Sequence, residues 1–196
     1  MCINEKVSLV AFTICSLSCF YLFKMNNKND RWIAIFFGFI GSMQFLEYLM
    51  WKDQECKGLN QTATDLAFIN VLLQPFLSLA VAYYFTGGNL PPYVYIIFII
   101  YLLTLFPQYI ENKKKNQCSK PCNKDNIGLS WKFTGTDCST IFCLALIMPF
   151  LSMKDNGMVY AAIITGTFIL ADIISKLRCP DNKGSPPNGS WWCIMA

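Results

Sequence analysis

The side chains best able to do chemistry in this chain sit inside apolar stretches, where placing them is costly and calls for a reason. Gln44, Glu47 and Trp51 are spaced i, i+3, i+7 and share one helical face. Asn70 and Gln74 share a second face with Ala67 and Ser78, and Pro75 interrupts the backbone ladder beside Gln74. Asp172 falls on a third face with Thr165 and Ser175, and Asp137 stands near the start of a weaker apolar stretch. One chemistry fits these residues: Glu47 and Asp172 as proton or cation ligands, Asp137 nearby, and Gln44, Asn70 and Gln74 as hydrogen-bond partners in a hydrated vestibule. A plainer reading makes the amides interhelical glue, worth about 0.6 kcal/mol each in membranes. On that reading Glu47 and Asp172 snorkel to the nearby interface, and Lys176 pairs with Asp172 at i+4.

Other chemistries drop out. The chain has no histidine, which removes His-based acid–base catalysis, His-ligated zinc and every Ser-His-Asp or Cys-His arrangement. Of its ten cysteines, Cys15, Cys19 and Cys143 lie in apolar runs, where a thiol acts as a small hydrophobe. The other seven lie in loops or at segment ends. Cys118 and Cys122 form a C-x3-C pair that, with Cys138 and Cys179, makes a candidate four-thiolate zinc knot or disulfide set. Free or palmitoylated thiols are equally ordinary readings.

The elements that position these groups follow from hydropathy. The chain has 196 residues, 54% of them apolar and 14% charged, against about 25% charged in soluble domains. Its mean hydropathy is +0.37. Sixteen phenylalanines are too much apolar surface for a small soluble protein to bury, whereas a bilayer lets them face lipid. With roughly 20 mainly apolar residues needed per crossing, six spans are predicted: 7–23, 32–51, 66–85, 93–109, 135–153 and 158–177. The first is too long for the apolar region of a cleaved signal peptide and ends in Phe23-Lys24, so it reads as retained. Together these spans make an all-α transmembrane domain over 1–178, followed by a polar tail, 179–196.

Six spans place the N-terminus, the 52–65 and 111–134 loops and the tail on one side, here side A. Side A then holds twelve of the sixteen Lys and Arg residues, so the positive-inside rule makes it, and both termini, cytoplasmic. Sequons at Asn60 and Asn188, and most loop cysteines, lie on the same side and point the other way. Counted from the span ends, Glu47, Asp172 and Asn70 lie at a similar depth, with Gln74 one turn deeper and Asp137 near the side A entry of its span, so all five fall in the side A half of the bilayer. Ala34, Gly38 and Ser42, with Gly41 alongside, make a small-residue face suited to close helix packing within the bundle.

The stretch from Gly41 to Trp51, the Cys56/Asn60 loop, Gln74-Pro75 and the closing Gly189-Ser-Trp-Trp-Cys193 resemble small multi-pass membrane proteins encoded by large DNA viruses. The resemblance covers four short patches. It implies a membrane location in a viral setting, and transfers no activity and no catalytic residue.

The expected protein is therefore a polytopic bundle of six helices whose partner is the lipid bilayer. No nucleic-acid partner, cofactor or catalytic residue is expected, and nothing in the residues supports a homo-oligomer. Its first functional reading is a channel or carrier for protons, cations or a small polar solute. The alternative is a non-catalytic structural or membrane-remodelling component. An enzyme acting on lipids has least support, although paired intramembrane carboxylates are able to hold a divalent metal.

Overall fold

The computed structural model describes residues 4–25, 30–115, 118–121, 129–130, 139–153 and 157–178. They form six helices and one short two-stranded ribbon: α1 (Glu5–Met25), α2 (Asp30–Lys52), α3 (Leu59–Phe85), α4 (Pro92–Lys115), β1 (Lys120–Pro121), β2 (Leu129–Ser130), α5 (Ser139–Leu151) and α6 (Gly157–Arg178). The ribbon is antiparallel, with Lys120 opposite Ser130.

α1, α2 and α3 are each long and apolar enough to cross a membrane. Their surfaces say the same, since Val10, Ile14, Leu17 and Phe20 on α1 are all more than half exposed. In water such a face would be an aggregation surface. In a bilayer it is simply the lipid contact, and the protein is membrane-embedded.

α1 and α2 form an antiparallel hairpin. Gly38 and Gly41 leave room for the Cys19 and Cys15 side chains of α1, and a Cβ at position 41 would collide with Cys15 Sγ. Phe12 packs on Phe45, with ring centroids 5.2 Å apart, and Lys52 Nζ lies 3.4 Å from Glu5 Oε1 at the far end. Both helices begin with an acidic residue and carry a lysine in the last turn, which suits the helix dipole.

α3 is the central element, packed on α2 along one side and on α5 along another. α5 in turn carries α4 and α6. Phe36, Met43 and Met50 of α2, Ala67 and Val81 of α3, and Phe150 of α5 build the shared core. The turn after α3 uses Gly87 and Gly88 at φ +62° and +87°, left-handed conformations that favour glycine.

Three boundaries differ from expectation, the simplest being α4, which continues to Lys115, six residues past the expected span end at 109. α3 starts at Leu59, seven residues before the predicted span. Its 27 residues make a rod of about 40 Å, longer than the ~30 Å hydrocarbon layer. Hydropathy registers only the lipid-immersed part, so the polar first turns were read as loop. α5 has 13 residues, about 20 Å, short of a full crossing. The residues expected to begin that span, 135–138, lie outside the described ones, as does the tail 179–196.

Candidate functional site

Two clusters of buried polar groups centre on α3, and Ser8, Gln44 and Glu47 are buried on α1 and α2. The first is deep. Asn70 Nδ2 donates to the Phe39 carbonyl at 3.2 Å and to Ser42 Oγ at 2.8 Å, both on α2. Ser42 Oγ itself donates to the Phe39 carbonyl, and Gln74 Nε2 donates to Asn70 Oδ1 at 3.0 Å. Gln74 is fully buried and its Oε1 has no partner among the described residues. Pro75 cannot donate to the Val71 carbonyl, and in that opened turn Tyr101 of α4 donates its hydroxyl to the Leu72 carbonyl at 2.9 Å. The carbonyl that the neighbouring helix binds is Leu72's, next to the Val71 carbonyl that Pro75 leaves without its helical donor.

Asn70 and Ser42 form the floor of an open groove of about 270 Å³ between α2 and α3, with Phe39, Phe45, Leu66 and Ile69 among its walls. Both amide hydrogens of Asn70 are engaged, so this floor holds two helices together.

The second cluster lies at the side A end and centres on Asn60. Its Nδ2 donates to the carbonyls of Met50 and Ser119, each at 2.9 Å. Its Oδ1 accepts from the Ser119 amide at 2.9 Å and the Thr64 hydroxyl at 3.2 Å. The Thr64 and Ser119 hydroxyls are 3.0 Å apart. Asp53 anchors the turn before α3, accepting from the amides of Lys57 at 2.9 Å and Asn60 at 3.0 Å. Those backbone bonds, with Asn60 the stronger influence, hold the Asp53 carboxyl below its ordinary pKa against the opposing effect of desolvation.

Cys56, in the same turn, is disulfide-bonded to Cys118 across 62 residues, with Cα atoms 6.1 Å apart. Cys56 has φ +62°, a left-handed conformation costing a non-glycine residue about 1–2 kcal/mol.

Of the residues singled out from sequence, Glu47 and Gln44 are both buried on α2. Asn70 and Gln74 meet as described, but not at the depth of Glu47. Asn70 stands opposite Ser42, five residues and therefore about 7–8 Å further into the bundle. The reason is the early start of α3. Asp172 lies on α6, which packs chiefly on α5; its side chain is outside the described residues, and so is Asp137.

The Ala34–Gly38–Ser42 face divides, because residues four apart drift around a helix. Ala34 is buried, Gly38 faces α1, and Ser42 bonds to α3. Cys118 pairs with Cys56 rather than with Cys122, Cys138 or Cys179, which all lie outside the described residues. Sequence reasoning missed Asp53, Thr64 and Ser119, and treated Asn60 only as a sequon. No ordinary helix-start signal marks Leu59, whose N-cap is Gly58 without a side-chain cap bond.

No family model, curated protein or solved structure matches this chain.

Proposed function

We propose that this protein is a non-catalytic structural component of a membrane, crossing it six times, with side A facing an oxidising compartment. The observation that carries the reading is the Gln74–Asn70–Ser42 chain, in which intramembrane amides are engaged in joining α2 to α3. For the spans, the apolar runs 93–109 and 158–177 each lie within a single helix, α4 and α6, while the 13 residues of α5 complete a crossing only together with the chain before Ser139. For the orientation, the support is the Cys56–Cys118 bond, since disulfides persist in oxidising spaces. On a six-span path, moreover, all seven loop cysteines fall on side A. That weighs against the lysine-based orientation, under which both termini are cytoplasmic. Such a placement suits the envelope setting implied by the resemblance to viral membrane proteins.

A second reading, proton or cation transport, rests on the complete burial of Glu47 beside Gln44.

A double-mutant cycle tests the structural reading. Ser42→Ala, Asn70→Ala and the double variant are unfolded reversibly in bilayer discs. The expected coupling between the two side chains is about 0.6–1.7 kcal/mol. A coupling of zero means that the pair does not join the helices, and the reading fails.

A further inference from the structure

Beyond that reading, we propose that the Cys56–Cys118 bond is a redox latch, holding a short strap, residues 118–121, closed over the side A end of the α2–α3 pair. Four observations converge on it. The strap is a sequence-distant segment whose described ties to α3 are polar bonds to Asn60 and Thr64, alongside one covalent bond to Cys56. It covers what it touches, since Asn60, Thr64 and Ser119 are all buried. The latch itself is reachable, because Cys56 and Cys118 are both partly exposed, unlike the residues they lock down. Finally, Cys56 is held in a left-handed conformation that a freed chain would be inclined to leave.

The chemistry is thiol–disulfide exchange with a thiol reductant, either a dithiol or two monothiols. A reductant thiolate attacks one sulfur, forming a mixed disulfide and releasing the other cysteine as a thiolate. A second reductant thiol resolves the mixed disulfide. Overall, two electrons and two protons pass to the protein, leaving Cys56 and Cys118 as thiols and the reductant as its disulfide.

Once the covalent bond is gone, the strap is tied to α3 only by hydrogen bonds for which interfacial water competes, and its remaining anchor is the pairing of β1 with β2, whose Leu129 is buried in the core. Its departure would uncover Asn60 and Thr64, and Glu47 lies one turn deeper than the Met50 carbonyl that Asn60 binds. The same cover encloses the Asn60 side-chain amide, the acceptor group of its sequon, while the latch is shut.

Hydrogen exchange followed by mass spectrometry on the full chain in bilayer discs tests this directly. The oxidised protein is compared with protein treated with a phosphine reductant, with thiol alkylation reporting the state of both cysteines. Reduction is expected to speed exchange at least tenfold in peptides covering 118–121 and 59–64. Exchange in the 67–80 segment of α3 should stay unchanged, and reoxidation should restore protection. Cys118→Ser should exchange like the reduced protein and ignore the reductant.

Unchanged exchange after complete reduction would overturn the proposal, leaving the disulfide a passive staple. Faster exchange throughout the bundle would also overturn it, because the bond would then support the whole fold. Free thiols at both positions in protein never exposed to reductant would remove the latch altogether.

Discussion

Asn60→Ala is expected to destabilise the folded protein by about 3 kcal/mol or more, measured by reversible unfolding in bilayer discs. The substitution deletes both the donor and the acceptor groups of a fully buried amide. It removes the partner of both the Ser119 carbonyl and the Ser119 amide, while the Met50 carbonyl keeps Gln54 Nε2 and the Thr64 hydroxyl keeps Ser119 Oγ. A buried polar group left unsatisfied costs about 1–3 kcal/mol, and water reaching the cap would recover part of the total. Asn60→Asp keeps the acceptor and loses the donor, so it should fall between Ala and wild type. A loss under 0.5 kcal/mol for Asn60→Ala, the size of an ordinary surface change, would mean that the cap is not organised around this residue.

The second large effect concerns the hairpin of α1 and α2. Gly41→Leu is expected to lower stability by at least the 1–3 kcal/mol typical of overpacking, read as a fall in thermal midpoint. A single Cβ at this position already collides with Cys15 Sγ and lies 3.2 Å from Cys15 Cβ, so Cys15 must turn aside and the larger leucine must push the helices apart. α1 depends on this contact more than a central helix would, because α2 is its main packing partner. Gly166→Ala on α6 is the matched control, since a Cβ there meets nothing within 4 Å. It should be neutral or gain up to about 1 kcal/mol from helix propensity. Equal losses at both positions would show that close approach is not what Gly41 provides.

Much of this architecture was legible in the sequence, and particular residues show why the rest was not. Apolar runs bracketed by charge gave the helices, because burial in lipid selects residue type directly. The same signal starts α3 seven residues late, since Leu59–Asp65 is helical although too polar to register as a span. Asn70 and Ser42 were visible as polar and small residues within spans, but their pairing depends on register, and register shifted with that helix start. Cys56 and Cys118 were visible as loop cysteines. Their partnership spans 62 residues, and connectivity over such a distance is not encoded in spacing. The lysine distribution and the disulfide point to opposite orientations. Charge bias influences insertion, whereas a disulfide reports the compartment that the folded loops occupy.

Flux through reconstituted vesicles tests the central claim most directly. Vesicles carrying the wild-type chain, oxidised or reduced, should pass protons and monovalent cations no faster than protein-free vesicles. Glu47→Gln, which keeps the shape and removes the ionisable group, should leave that baseline unchanged. Flux above the protein-free control that disappears in Glu47→Gln would contradict the structural account and establish transport through the buried carboxylate of α2.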